Sequence, residues 1–317
     1  MPANTMSSTE NVCKVCGKQF NTERGLHGHL KAHQITQAEY YCRHYPRYNK
    51  LTGDPLPFKN KADYFHKDFS TYQQLLKWCA ATPDEEVGPY ILKQLQYRIK
   101  EKDLSFGPCH LELRQKKLPP LDIYKRIFGS YTAACEQVGV EPLYGKPVKR
   151  QFFVKDEKFN RLNIFIDTRE QRPLRFPVSE SLKLDFGDYT VGGENYNYTY
   201  VDRKSETDFK STLGMGLKRF RAELDRVRHF ESYLYIVTES DLAAIGRNNN
   251  FGPHKSNLEY IYHNMRKLMR DYAGCCQFLF TGNRTNSQIL IPKLLYFGKE
   301  LWDCDIQYYL DKDEATA

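Results

Sequence analysis

No run in the 317-residue chain is apolar for long enough to cross a bilayer, which leaves helical membrane proteins out of consideration. No apolar leader stands ahead of the first cysteine pair, so the sequence reads as lacking a signal peptide. Acidic residues are too few to balance the basic ones: 39 Asp and Glu face 47 Lys and Arg, giving a formal charge of +8 and a pI near 8.8. That balance suits a polyanionic partner, and equally a merely soluble basic protein. Nine cysteines are an odd number, which complete disulfide pairing cannot use up. With two of them at zinc-ligand spacing, they point to a reducing interior, either the cytoplasm of a prokaryotic or phage-infected host or a nucleus. Hydrophobic residues fill 40% of positions, enough for globular folding in two or three modules.

What is present in the C-terminal half is three polar motifs set in β-rich runs: Asp167-Thr168-Arg169-Glu170, Gly187-Asp188-Tyr189 and Asp202-Arg203-Lys204-Ser205. Asp202 and Lys204 are two apart and share one face of a strand, as do Asp167 and Arg169. Gly192-Gly193-Glu194-Asn195 supplies turn chemistry between the second and third motifs, and pairing about a turn near Asn195 sets Asp188 opposite Asp202. Directly opposed carboxylates lie roughly 5 Å apart at Cβ and repel unless a cation sits between them. Mg²⁺ (or Mn²⁺) suits two carboxylates completed by water and phosphate, with Asp167 as a further ligand. Lys204 is then placed to hold the attacking water and offset charge developing on phosphorus. Arg169 and Arg203 are candidates to grip phosphate through the guanidinium fork. A lone Asp-x-Lys is usually a solvated face; three co-ordered motifs argue for a site.

A Gly-Asp, a gap and then Asp-x-Lys resembles the core of the PD-(D/E)xK nucleases. Asp167-Thr168-Arg169-Glu170 and the continuation Arg203-Lys204-x-x-x-Asp208 resemble, more narrowly, the XPF-type nuclease domain of excision-repair and junction-cutting endonucleases, over roughly residues 160 to 312. That family usually has Glu-Arg-Lys where this chain has Asp202-Arg203-Lys204; aspartate is accepted there in the wider superfamily. The resemblance implies metal-dependent hydrolysis of DNA phosphodiesters by a domain that often pairs with a second copy. Relatives commonly add a helix-hairpin-helix module after the nuclease domain, and the sequence has no room for one here. Targeting is therefore expected from the N-terminal half. Ser205 reads as a helix cap, with Asp208 either its capping partner or part of the site.

Helical spacing of Phe209, Leu213, Leu217, Phe220, Leu224 and Val227 predicts a helix over 206–230, loosened by Gly214 and Gly216. Its other face carries Lys218, Arg219, Arg221, Arg226 and Arg228, either along a DNA backbone or simply solvated. Tyr233 to Val237 and Gln277 to Phe280 read as buried strands. Between them runs a helix stripe from Leu258 to Tyr272, and a last helix is expected to be interrupted near Pro292. The polar end Asp311-Lys312-Asp313-Glu314 is expected to fray.

In the N-terminal half, Cys13-x2-Cys16-x12-His29-x3-His33 has two-Cys two-His Zn²⁺ spacing, with Phe20 and Leu26 at the two core positions. The base-reading positions of such a finger fall on Thr22, Gly25 and Gly28, so three-base reading is not expected. Lys14, Lys18, Arg24, His27 and Lys31 remain to hold phosphate. The tract Tyr40 to Tyr48 interleaves aromatic and basic residues, which suits either base stacking or an ordinary linker with packed tyrosines. Cys42, His44 and His66 match no specific metal spacing. From Leu118-Pro119-Pro120 a helix runs through Tyr124 and Ile127, breaks at Phe128-Gly129-Ser130-Tyr131 and restarts up to Gly139. This resembles the small helical repeats attached to homing endonucleases, and implies a DNA reader with Lys116, Lys117, Lys125 and Arg126 near phosphate; a helical spacer is the other reading.

The expected architecture is multidomain. It comprises a small ββα zinc finger (10–35), a helical, aromatic and basic linker region (36–104), a helical DNA-binding segment (105–147) and a C-terminal α/β nuclease domain with a mixed central sheet (159–312), reached through a polar stretch at 148–160. The expected function is a Mg²⁺-dependent endonuclease on double-stranded DNA, of homing or mobile-element type. Alternatives are a branched-DNA repair nuclease and a non-catalytic DNA-binding protein with a nuclease fold.

Overall fold

The computed structural model describes residues 11–58, 64, 67–154, 156–251 and 255–312. Contacts divide the chain into two units, residues 1–87 and 88–317, with the division falling within one helix. In the first unit the finger hairpin is reduced to a bridge between Val12 and Gln19. It is followed by α1 (Glu23–His29), a 3₁₀ turn (Leu30–His33) and α2 (Gln37–His44). Thr36 and Glu39 form a reciprocal capping box at the start of α2, which fixes where that helix begins. Leu26, Leu30, Tyr40, Tyr41 and Phe58 are buried together, with Phe20 packed against them. Tyr40 and Tyr41 are therefore core residues, so the packed reading holds for both and their rings are not open for base stacking. Helix α3 (Tyr72–Ala81) buries Leu75, Trp78 and Cys79, and α4 (Asp84–Lys102) follows. His66 lies outside the described residues.

In the second unit, α5 (His110–Gln115), α6 (Leu121–Phe128) and α7 (Tyr131–Gln137) are flanked by a two-residue parallel pairing of β1 (Phe106–Gly107) with β2 (Glu141–Pro142). The break expected at Phe128-Gly129-Ser130-Tyr131 is in place. Gly129 takes φ +78°, a conformation that favours glycine, and Ser130 caps α7 by accepting from the Ala133 N–H at 3.0 Å.

The strands β3 (Ile164–Asp167), β4 (Ser179–Leu182), β5 (Tyr189–Val191), β6 (Thr199–Lys204), β7 (Tyr233–Thr238) and β8 (Cys276–Phe280) form, among the described residues, a sheet in the order β4-β3-β5-β6-β7-β8. It is mixed: β5 runs antiparallel to both β3 and β6, and the other neighbours are parallel. Over one face lie α8 (Glu206–Leu213), α9 (Leu217–His229) and α11 (Leu258–Asp271), which bury Phe209, Phe220, Leu224 and Met265 against Leu234, Ile236 and Phe278. Cys109, Leu111 and Tyr144 belong to that same core, so the 105–147 segment packs with the sheet. The opposite face buries Tyr233, Tyr235 and Val237 against α12 (Arg284–Phe297) and α13 (Ile306–Leu310). Phe152, within 148–160, is fully buried in that second core. Helix α10 (Leu242–Phe251) lies between β7 and α11 in sequence.

Two expectations are corrected. The helix expected over 206–230 is two helices, because Gly214 to Gly216 ends α8 and starts α9 anew. Conversely, Pro292 does not interrupt α12. A proline inside a helix costs about 3 kcal/mol, whereas Leu290, Ile291, Leu294 and Leu295 are all buried at about 1.5–3 kcal/mol each. The chain end is also tied further than expected: Asp311 meets His110 at 2.8 Å and Lys312 meets Asp122 at 2.7 Å, while Asp313 and Glu314 lie outside the described residues. Among the described residues no helix is long and apolar enough to cross a membrane.

Candidate active site

Strand alternation sorts the residues of β6. Tyr200 belongs to the core beneath α8, α9 and α11, and Val201 to the core beneath α12 and α13. Asp202 and Lys204 follow Tyr200 on its face, while Arg203 follows Val201. The Lys204 Nζ donates to both Asp202 oxygens, at 3.0 and 2.7 Å, which confirms the shared face. The β5–β6 register pairs Tyr189 with Val201 and Thr190 with Tyr200; one step further it sets Asp188 against Asp202. Asp188 is fixed there by two backbone bonds. Its N–H donates to the Val201 carbonyl at 2.7 Å, and its Oδ2 accepts from the Arg203 N–H at 2.7 Å.

The residue before Asp188 explains why the motif begins with glycine. Gly187 takes φ +67°, and a Cβ there would lie 3.0 Å from the Val201 carbonyl oxygen. Gly187→Ala is therefore expected to lower unfolding free energy by roughly 1–3 kcal/mol, read from the urea midpoint; an unchanged midpoint would count against this account of the turn.

A third carboxylate enters from α9. Glu223 accepts from the Gly187 N–H at 3.3 Å, and it was not singled out from the sequence. Its signal was available: of two acidic residues among the arginines, Glu223 stands three after buried Phe220 and one before buried Leu224. Burial, then the Asp202 charge, raises the Glu223 carboxyl above its ordinary value. The same two causes, in the same order, push Asp188 up to about 8. Burial alone would lower Lys204, but Asp202, Asp188 and Glu223 together raise it. Ionised together, three carboxylates against one ammonium would carry two surplus negative charges, which one divalent cation would neutralise.

That surplus, with hard oxygen donors on opposed strands, fits Mg²⁺ or Mn²⁺. Asp188 and Asp202 would hold the ion, with the remaining positions left to water and phosphate. Asp167 is placed differently. Its Oδ1 accepts from the Arg169 N–H and Nε, both at 2.7 Å, and its Oδ2 from Arg169 Nη2 and the Leu184 N–H, both at 2.8 Å. Burial would raise Asp167, but these bonds from Arg169 and Leu184 outweigh it and hold the carboxyl low. Asp167 thus fastens both ends of the segment 168–184, at Arg169 and at Leu184 just after β4, to the end of β3. Arg169, its side chain 63% exposed, also feels the charges of Glu223 and Asp188, which places it beside the acidic group.

The expected phosphate contacts are spread out. Arg203 faces the other side of the sheet, with its side chain 9% exposed, and is ion-paired to Glu170 at 3.0 Å and Glu239 at 2.9 Å. Arg219 is exposed on α9, and Arg221 lies 3.7 Å from Asp271. The Lys125 ammonium lies 3.9 Å from the Tyr308 ring centre, and Arg126 is exposed on α6. Ser205 caps α8 by accepting from the Asp208 N–H at 3.2 Å, and its hydroxyl donates to the Asp208 carboxylate at 2.6 Å.

In the first unit, Cys13, Cys16, His29 and His33 bring their ligand atoms within 4.8 Å of one another. Among the described residues no other group of three or more Cys, His, Asp or Glu is that tight. Two thiols and two imidazoles at this spacing fit tetrahedral Zn²⁺. The Thr22 hydroxyl caps α1 by accepting from the Gly25 N–H at 3.1 Å, so of the three reading positions one is a cap and two lack side chains.

The C2H2-type zinc-finger family matches residues 12–36. The chain therefore carries a C2H2-type finger at its N-terminal end. Among solved structures it is similar to XPF from Aeropyrum pernix, at 21% identity over 44% of this chain and 68% of that one, with a TM-score of 0.33. It is also similar to XPF from Aeropyrum pernix in complex with DNA, at 20% identity over 43% and 64% of the two chains, with a TM-score of 0.32. Among curated proteins none matches.

Proposed function

We propose that the chain is a divalent-metal-dependent DNA endonuclease. The observation that carries this reading is the convergence of Asp188, Asp202 and Lys204 on one face of paired strands, with Glu223 closing the group from α9. A bound Mg²⁺ or Mn²⁺ supplies a Lewis acid for the scissile phosphate and a water of lowered pKa. Asp188 and Asp202 bind and orient the ion. Lys204, held on Asp202, offsets negative charge developing on the phosphate oxygens. The exposed Arg169 guanidinium is placed to receive a phosphate, and Asp167 positions that arginine and its loop. Arg219, Arg221, Lys125 and Arg126 are assigned to more distant phosphates, and Arg203 to bracing Glu170 and Glu239.

In the finer reading, residues 159–312 cut double-stranded DNA, possession of one site per chain calls for two copies or two sequential nicks, and the finger with residues 105–147 directs cutting in the manner of a homing or mobile-element enzyme inside a cell. The finger holds phosphate through its basic residues rather than reading bases. The test is incubation of the full chain with plasmid, linear duplex and branched DNA, with Mg²⁺ or Mn²⁺ and without added metal. Metal-dependent cutting of duplex at a defined site supports the homing reading, and cutting confined to branched DNA supports the repair reading. Binding without cutting on every substrate would leave a non-catalytic DNA-binding protein.

A further inference from the structure

A crevice of about 710 Å³ opens between the end of α4, the end of α5 and the outer face of α11. Six of its twelve lining residues are Lys or Arg and three are acidic. Two of the arginines are interior groups: Arg98 is 6% exposed and Arg266 5%. Their surroundings do not balance them equally. Glu112, itself buried, accepts from Arg98 Nε and Nη2 at 3.0 and 2.6 Å and also from Arg270 at 3.0 Å, so one carboxylate serves two guanidiniums. Glu101 adds pairs to Arg98 at 3.3 Å and Lys102 at 2.9 Å, and Asp271 takes Lys267 at 3.0 Å.

Among the described residues no carboxylate lies within ion-pair distance of Arg266 or Lys116. Arg266 hydrogen-bonds the side-chain oxygen of Gln115, whose amide nitrogen is left buried without an acceptor. A buried cation with no ion pair of its own, left to share the field of Glu112 with two other guanidiniums, is costly, and removing water from it magnifies its pull on any anion that arrives. Burial lowers Arg266 most, the Glu112 charge works against it, and Arg98 and Arg270 add to it, leaving Arg266 below its ordinary value; burial, then Arg266, does the same to His263 and to Lys116, where Glu259 and Glu112 oppose it. The local shortage is of negative charge and of acceptors. A guanidinium fork matches two phosphate oxygens at once. Tyr260, 49% exposed and on the same face of α11 as His263, adds a flat ring at the mouth.

We propose that this crevice binds clustered phosphates, such as those of a nucleotide polyphosphate or of a phosphorylated strand end, with Arg266 and Lys116 as the groups that receive them. The site stands apart from the acidic group on β5 and β6, and its existence does not depend on that group cutting DNA.

The test is calorimetric titration of the full chain, without added divalent metal, using sodium triphosphate, ATP and a 5′-phosphorylated single-stranded oligonucleotide. Wild type is compared with Arg266→Met and Lys116→Gln. Saturable binding of at least one probe is expected, weakened about tenfold or more by each variant, since charge-assisted phosphate contacts are the strong ones. A response to triphosphate or ATP identifies free polyphosphate as the ligand; a response to the oligonucleotide alone identifies a nucleic-acid strand. Arg266→Met exchanges a buried cation that has no ion pair for an apolar side chain at the cost of its bond to Gln115, and Lys116 is only half-buried; a melting curve for each variant separates loss of fold from loss of binding. Failure of all three probes to bind wild type, or equal binding by wild type and both variants, overturns the proposal.

Discussion

Lys204→Met is expected to lower the rate of DNA cleavage by about 10²–10³-fold, the range seen when a single preorganised electrostatic donor is removed from an active site. Affinity for DNA is expected to change little. The reason lies in where the ammonium stands: it is held by both oxygens of Asp202 and surrounded by the fields of Asp188 and Glu223, inside the protein rather than on its surface. Methionine keeps most of the apolar stem of lysine and removes the ammonium, together with its approach to the Phe220 ring at 5.5 Å. Asp202→Asn is the companion variant. It removes one of the two proposed metal ligands and one of the charges that raise Asp188, so cleavage is expected to fall sharply and higher Mg²⁺ to recover part of it. Rates at saturating metal, DNA binding by fluorescence anisotropy and a melting curve for each variant separate chemistry from folding. Cleavage by Lys204→Met at the wild-type rate would remove Lys204 from the mechanism and overturn the assignment of cleavage to the group at Asp188, Asp202 and Lys204.

Zinc removal has the next largest expected effect, and it is confined to the first unit. Stripping the metal with a strong chelator is expected to unfold residues 12–36, because structural zinc contributes about 10–16 kcal/mol of apparent binding energy in isolated fingers. The core left without it is Leu26, Leu30, Tyr40, Tyr41 and Phe58, too small to hold two short helices against chain entropy. Limited trypsin digestion reads this out at Lys14, Lys18, Arg24 and Lys31. Rapid cleavage there after chelation, reversed by added Zn²⁺, is the expected pattern, with β3 to β8 remaining resistant. Equal protection with and without zinc would show that α2 and its tyrosines hold the finger closed unaided.

Some of this was legible in residue order. The Asp188–Asp202 register followed from turn chemistry because a hairpin is a local structure whose arithmetic needs only spacing. The finger ligands were legible for a similar reason: metal geometry imposes their intervals. Glu223 was not, because it reaches the site through the packing of α9 on the sheet, a contact between segments 35 residues apart from Asp188 that periodicity does not encode. Nor was β4, whose four residues are all exposed on the sheet edge and carry no apolar alternation. Arg203 was assigned by residue type to phosphate, although its position between Asp202 and Lys204 already required the opposite face. The tract at Tyr40 left two readings open, since an aromatic ring has the same identity whether it stacks on a base or fills a core.

The alternation along β6 has a further implication for how such a site can change over generations. Because even-numbered residues serve one core and odd-numbered residues the other, the strand has no neutral side on which variation can accumulate. A one-residue deletion between Thr199 and Asp202 would exchange the contents of the two layers, sending Lys204 beneath α12 and an arginine toward the carboxylates. Such a deletion removes the site in a single step, and a descendant that has lost it in this way would be recognisable by a scrambled sheet rather than by a quietly substituted aspartate.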